Sequence, residues 1–368
     1  MLLQKKMIDK EISNLKAIDT LIRQEQPFAV YRIPGEDTPR LLTQASGSVR
    51  LLYDLKDLDG ARGFVIAPFR ASESCPIVLI QPEQWGQPLP LDEYAEEELE
   101  AFRLRQGRET FSEACTEEYE ACFRTFIEAL RSKRFDKLVL SRKSVIGQCP
   151  GFSPSAVFRA ACKHYIHSYI YLCYTPRTGV WMGSTPEIIL SGEKNEWSTV
   201  ALAGTQPLQD GRLPQEWGEK NRQEQDYVAS YIRRQLLSSG IHPTESGPYP
   251  AYAGALSHLK TSFRFTLKDN NRLGSLLELL HPTPAVCGLP KEEAYRFIQD
   301  NEGYDRRYYS GFIGWLDPDV NLRCMHIENG QLSFYAGGGL LASSELNDEW
   351  LETEKKLQTM KRLVSMSL

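Results

Sequence analysis

At 368 residues, with 41% hydrophobic and 25% charged residues, the chain has the composition of a globular enzyme, long enough for two average domains or one large mixed fold. Its net charge of -5 arises from interspersed acids and bases, so no basic stripe points to nucleic acid or an anionic membrane surface, and an anionic substrate would need a local cationic pocket. The eight cysteines show no Cys-x-x-Cys pair or metal-ligand spacing, which suits reduced thiols in the cytoplasm, and no window approaches the ~18 apolar residues of a membrane span.

In chain order, residues 1–23 are charged and helix-patterned, with no apolar run of signal-peptide type. Up to about residue 95, short apolar runs such as Phe64-Val65-Ile66-Ala67 and Ile77-Val78-Leu79-Ile80 alternate with Gly, Pro and Asp turns and predict strands. From Tyr94 to Lys133 the chain is acidic, then amphipathic, with Tyr119, Cys122, Phe123, Phe126 and Leu130 at helical spacing before a break at Arg134. Lys137-Leu138-Val139-Leu140-Ser141 and the aromatic, β-branched run from Tyr169 to Tyr174 read as strands, and Gly179 turns the chain into Val180-Trp181-Met182. A helix over about 219–239 closes at Gly240, which suits a left-handed cap. Further helices are expected over about 291–300 and over 347–364, the last with Asn347 or Asp348 available as its cap. Interleaved helices and strands predict a mixed α and β fold.

Several residues could carry chemistry, each with an ordinary reading beside it. Lys137 opens an apolar strand, where a solvated edge charge is the common outcome; a lysine facing a dry pocket is instead a usable general base. Glu187 follows Gly183-Ser184-Thr185-Pro186 and would donate a proton if buried, yet a strand-end charge fits the local pattern. Glu224 lies four residues before Val228 and seven before Tyr231, on the stripe of its helix that should face the core, or at that stripe's edge. On the last helix Trp350, Leu357, Met360 and Val364 form the packing stripe, and Glu349, Glu352 and Lys356 share the adjacent face, where a solvated Glu352–Lys356 pair is the plain alternative. Carboxylates from two helices would suit magnesium, which prefers oxygen ligands. The glycine-bearing segments 201–205 and 334–339 match no nucleotide-binding loop; they are turns or sites of close backbone approach to a carboxylate. Arg323, in strand-like Asn321-Leu322-Arg323-Cys324-Met325, could grip a carboxylate bidentately or serve a structural ion pair. His258 and His281 read as hydrogen-bonded structural histidines.

The order and spacing of these signals carry more than any one of them. KLVLSRK at 137–143, GSTPEIIL at 183–190, ALAGT at 201–205, EKNRQEQ at 219–225, LSHLKTSF at 256–263, HPTPAVCGLPK at 281–291, YDRRYYSGFIGW at 304–315, LRCMHI at 322–327 and FYAGGGLLASSELNDEWLETEKK at 334–356 together resemble the chorismate-utilising enzymes. That family includes isochorismate, salicylate, anthranilate and aminodeoxychorismate synthases. The resemblance implies one α+β catalytic domain over 1–368, with 1–95 as a divergent N-terminal part and 96–368 bearing the motifs. In that fold two curved antiparallel sheets pack together with helices outside, and the active site lies in a deep cleft near the sheet core.

It also implies roles. Lys137 corresponds to the lysine that deprotonates attacking water and Glu187 to the acid that protonates the departing hydroxyl. Glu224 and Glu352 match Mg2+ ligands, with Glu349 a ligand through water or an acid behind them. Arg323, Lys356 and the backbone at Gly204 and Gly337 match contacts to substrate carboxylates, and His258, Thr283 and Ala285 lie in pocket motifs. Ala203 stands where aminodeoxychorismate synthases carry a nucleophilic lysine, and Lys137 where anthranilate synthases typically have glutamine, so water is the expected nucleophile and no amidotransferase subunit is needed. Pro284-Ala285 replaces the Gly-Thr pair of salicylate and anthranilate synthases, which favours stopping at isochorismate, a precursor in menaquinone and siderophore biosynthesis. Asn221 departs from the acid that relatives often carry, a change that bears on metal affinity. The expectation is a cytoplasmic isochorismate synthase for which a monomer suffices; the alternatives are a salicylate synthase and a non-catalytic chorismate-binding protein.

Overall fold

The computed structural model describes residues 16–45, 47–82, 86–91, 115–253, 256–315, 319–320 and 322–366. The acidic stretch 94–114 and the first half of the leading helix pattern lie outside the described residues. Helix α1 (Lys16–Arg23) leads into strands β1 (Phe28–Arg32), β2 (Arg40–Thr43), β3 (Arg50–Leu52), β4 (Phe64–Ala67), β5 (Ile77–Ile80) and β6 (Gln87–Pro88). Helix α2 (Glu117–Arg131) precedes β7 (Lys137–Gly147), and α3 (Pro154–His164) precedes β8 (Tyr169–Thr175), β9 (Gly179–Thr185), β10 (Ser191–Glu193) and β11 (Glu196–Pro207). Then come α4 (Glu219–Ser238), β12 (Thr244–Ala253), β13 (Leu256–Thr266), α5 (Leu273–Leu280), β14 (Gly288–Leu289) and α6 (Lys291–Asn301). Strands β15 (Phe312–Trp315), β16 (Asp319–Val320), β17 (Cys324–Glu328) and β18 (Gln331–Leu340) lead to the last helix, α7 (Leu346–Met366).

Hydrogen bonding divides the strands into a nine-stranded sheet in the order β14-β7-β18-β17-β9-β8-β1-β2-β6, a four-stranded sheet β10-β11-β13-β12, and a five-stranded sheet β16-β15-β4-β5-β3. The pairings are antiparallel, as in β7 with β18 and β11 with β13. Side-chain alternation explains the layering. Phe28 and Val30 of β1, Ile170 and Leu172 of β8, and Met182 of β9 pack with Leu357 and Met360 of α7 and Val157 and Phe158 of α3. The residues between them, Ala29, Tyr31, Tyr169, Tyr171, Cys173 and Trp181, face Phe64, Ile66, Val78 and Ile80 of the five-stranded sheet. Truncating a core aromatic such as Trp181 would cost about 3–5 kcal/mol. The α+β expectation of antiparallel sheets packed together with helices outside is met, although hydrogen bonding among the described residues divides the strands into three sheets rather than the two expected.

Local signals hold at most helix ends. Thr116 caps α2 by accepting from the Tyr119 amide, and Tyr119, Phe123, Phe126 and Leu130 are its buried stripe. Gly240 follows α4 with φ +74°. Helix α7 starts at Leu346, so Asn347 and Asp348 sit in its first turn rather than at the cap, where the acid still opposes the positive end of the helix dipole. All eight cysteines are unpaired. Among the described residues no helix is long and apolar enough to cross a membrane.

Candidate active site

Lys137, at the start of β7, is 0% exposed, so the solvated-edge reading fails. Its Nζ lies 2.9 Å from Glu224 Oε1 on α4, close enough for an ion pair but without the alignment of a hydrogen bond. Strand β18 makes room for both. Gly339 pairs with Val139, and a Cβ on it would overlap the Glu224 carboxylate and come within 2.9 Å of Lys137 Cε. A Cβ on Gly338 would stand 3.2 Å from Glu349 Oε2 and 3.4 Å from Glu352 Oε1. On Gly337 it would come within 2.8 Å of Ser141 Cβ. The glycine run is therefore part of a strand that carboxylates approach closely, not a turn. At Gly204 the strand β11 bulges against β13 with φ +70°, and any side chain would strike the Asn221 carbonyl of α4 at 2.8 Å.

Each of the three carboxylates has a lysine partner. Glu224 pairs with Lys137, Glu349 with Lys220, and Glu352 with Lys356 at 2.7 Å; Lys356 also donates to the Gly337 carbonyl at 2.9 Å. Glu349 is 0% exposed, and its Oε2 meets no donor among the described residues. Burial, reinforced by the neighbouring charge of Glu352, pushes its carboxyl up to about 7. Burial also works against the Glu352 anion, but Lys356 and Lys220 outweigh it and hold that carboxyl below its ordinary value. Three acids from two helices thus meet over a side-chain-free strand, an oxygen donor set that fits a hard divalent cation. Among the described residues no three His, Cys, Asp or Glu side chains are gathered closely enough to complete a coordination shell. Water and substrate oxygens would have to supply the remainder, as magnesium prefers.

Across the cavity, Glu187 follows the end of β9 and is buried, with its Oε1 lacking a donor among the described residues. Burial raises its pKa to about 7 against the opposing pull of Lys137, Arg323 and Lys356. Such a carboxyl holds a proton near neutrality and can give it up. Arg323 is not in a strand: it precedes β17 with φ +46°, a strained conformation for a side chain of its kind. Its Nη2 lies 2.6 Å from His258 Nε2, and His258 Nδ1 lies 2.9 Å from the Gly204 carbonyl oxygen. Arginine only donates, so Nε2 accepts and Nδ1 carries the proton to Gly204. Burial, with the positive charges of Arg323 and Lys356, keeps this imidazole neutral, far below its usual pKa. Arg323 Nη1 has no hydrogen-bond partner among the described residues, and burial lowers the guanidinium pKa to about 10.

These groups border a small cavity of about 50 Å³ whose wall includes Glu187, Glu224, Arg323, Lys356, Gly204 and Ala285. Lys137 lies behind the wall-forming Gly339 and Glu352 against the wall-forming Lys356, while Glu349 approaches Gly338, which is not itself part of the wall. Thr283 does not line the cavity; it is buried beside Glu187. His281 is buried but lies outside the wall. Three contributors were missed. Lys220 stands one turn before Glu224 at i,i+4, a legible spacing that passed unused. Gln225 donates to the Ala201 carbonyl at 3.1 Å and to the Thr261 hydroxyl at 3.0 Å, fixing α4 to β11 and β13. Tyr309 lines the cavity with no spacing signal to announce it.

Known proteins share this arrangement of elements. Isochorismate synthase EntC of Escherichia coli (strain K12) is 31% identical over 240 residues, which span 61% of this chain and 61% of that relative. Isochorismate synthase DhbC of Bacillus subtilis (strain 168) is 24% identical across 98% of this chain and 99% of its own length. The solved structure of MenF, the menaquinone-specific isochorismate synthase from Escherichia coli, has a TM-score of 0.71 at 20% identity, covering 95% of this chain and 91% of that one, a likeness of fold. The match to the chorismate binding enzymes runs over residues 83–365, and the chain belongs to that family.

Proposed function

We propose that this chain is a magnesium-dependent isochorismate synthase. The observation that carries the reading is the wall itself. Ala203 lies on it, where a nucleophilic lysine would permit covalent attack; Glu187 lies on it too, with a carboxyl that still holds a proton near neutrality, and the buried Lys137 stands just behind it against Gly339. Water is then the nucleophile. Lys137 takes a proton from water as its oxygen bonds to C2 of chorismate, the ring double bonds shift, and the C4–O bond breaks as Glu187 protonates the departing hydroxyl. One water enters and one leaves, so the product is an isomer that keeps its enolpyruvyl group.

Arg323 Nη1 and Lys356 are the cationic groups available to the substrate carboxylates, with the backbone at Gly204 and Gly337 allowing close approach, and His258 holds Arg323 in place. Glu224 and Glu352, with Glu349 behind them, would hold Mg2+, which neutralises charge on the ring carboxylate. Ala285 on the wall, in place of the bulkier hydrogen-bonding residue of lyase relatives, supports stopping at isochorismate. We read the whole chain as one catalytic unit, because Leu58, Val65 and Ile77 from the N-terminal part pack with Ala203, Val228 and Val286 near the site. Its unpaired cysteines suit a cytoplasmic enzyme, and water as the nucleophile calls for no amidotransferase subunit, so a monomer would suffice.

The test is incubation with chorismate and Mg2+, with an EDTA control and chromatographic separation of products. Metal-dependent conversion to a mixture of chorismate and isochorismate is expected. Salicylate with free pyruvate would make the chain a lyase, and absence of conversion would leave a binding protein.

A further inference from the structure

Three lysines neutralise the three carboxylates, yet they are not equivalent. Lys137 is wholly buried at the start of a strand, and Lys356 is anchored a second time by the Gly337 carbonyl. Lys220, in the first turn of α4, has a side chain 35% exposed, and its hydrogen bond goes to Glu349 Oε1 alone among the described residues. Its partner is wholly buried, and the second oxygen of that partner points without a donor to the Gly338 backbone, where Glu352 also arrives. Left uncompensated, two carboxylates at such a distance would repel each other in a dry environment. The charges of Glu352 and Glu224 act on Lys220 as well.

We propose that Lys220 is a resident counter-cation of the carboxylate cluster: it holds Glu349 and its neighbours together while no metal is bound, and a divalent cation binds by displacing its ammonium into solvent. The proposal rests on the magnesium reading above and deepens it, since it makes metal affinity the outcome of a competition between an internal cation and an external one. A partly exposed, singly bonded lysine can leave by rotating its side chain, whereas Lys137 and Lys356 cannot leave without breaking further contacts or exposing a buried strand end. Adding a dication to an already neutral cluster would leave it net positive; expelling Lys220 reduces that excess and frees Glu349 Oε1 as well as Oε2.

The test needs no turnover. The full chain, stripped with EDTA and dialysed, is titrated with Mg2+ by calorimetry without chorismate, as wild type, Lys220→Met and Lys220→Arg, and each is melted with and without the metal. Removing the competing charge should tighten Mg2+ binding by about tenfold, the size of one partly screened like-charge interaction. Lys220→Met should also melt below the wild type in EDTA, with the gap closing at saturating Mg2+, and Lys220→Arg should stay near the wild type in both respects. Lys220→Gln, which tolerates the half-exposed position, gives the same readout should the methionine variant fold poorly. Unchanged or weaker Mg2+ binding in the neutral variants would overturn the proposal while leaving the metal site standing. A wild-type chain that binds no Mg2+ would overturn the metal reading itself, and that outcome is visible without any variant.

Discussion

Strand β7 carries an ionic cluster at each of two places, and the two are built on opposite principles. Around Ser141, Arg306 and Glu302 form a buried pair with every group engaged. Arg306 donates twice to Glu302, to the Val286 carbonyl at 2.7 Å and to the Val139 carbonyl at 2.9 Å, while Glu302 accepts from the Ser141 amide and hydroxyl. Around Lys137, by contrast, Glu187 Oε1, Glu349 Oε2 and Arg323 Nη1 are buried with no hydrogen-bond partner among the described residues, and the Lys137 ammonium meets Glu224 as an ion pair without an aligned hydrogen bond. Buried polar groups are normally paired, and leaving one unpaired costs about 1–3 kcal/mol. A satisfied network ties β7 to the segment carrying Ala285; an unsatisfied one keeps its donors and acceptors for a ligand. The contrast separates scaffold from site without reference to any relative.

Removing either proposed proton-transfer group should have the largest effect. Lys137→Ala and Glu187→Gln are each expected to lower kcat by about 10²–10⁴-fold with the fold retained, measured by chorismate turnover alongside thermal melting. Near-normal turnover in either would erase the distinction between the clusters. Breaking the other cluster should act on stability: Arg306→Met leaves Glu302 charged and buried, and denaturant unfolding should show a loss of about 3–5 kcal/mol. A loss well below 1 kcal/mol would mean that the scaffold pair is not what ties β7 in place. Smaller again, Glu224→Ala and Glu352→Ala should raise the Mg2+ concentration for half-maximal rate at least about tenfold, read from metal titrations of activity.

The finest test is pH. The Glu187 carboxyl is raised from 4.5 to about 7 on folding, so it contributes stability that is complete below its unfolded pKa and fades as pH rises through about 7. Unfolding midpoints should therefore fall across that window, and less steeply in Glu187→Gln. The same proton is the one the proposed acid would donate, so kcat/KM should decline above about pH 7. A flat profile through that range would contradict the role.

Much of the fold is legible locally, because helix stripes and strand alternation are properties of neighbouring residues: the stripe of α2, the Gly240 cap and the core-facing position of Glu224 can all be read from spacing. The site is less so, since burial is decided by distant chain. Lys137 looks like an edge charge until Gly339, some two hundred residues later, opens the space in which it meets Glu224. Arg323 sits among β-forming residues, and nothing in that run announces φ +46°. Three successive glycines suggest a turn unless the carboxylates of a helix yet to come must approach them. Motif order supplied the grouping that periodicity lacked.

The most direct test of the central claim is to run the reaction in heavy-oxygen water with Mg2+ and locate the label by mass spectrometry. Attack by Lys137-activated water predicts labelled oxygen at C2 of isochorismate and, after reversal, at C4 of recovered chorismate, with no pyruvate released. An isochorismate whose C2 hydroxyl carries no solvent oxygen would contradict water as the nucleophile and with it the roles assigned to Lys137 and Glu187.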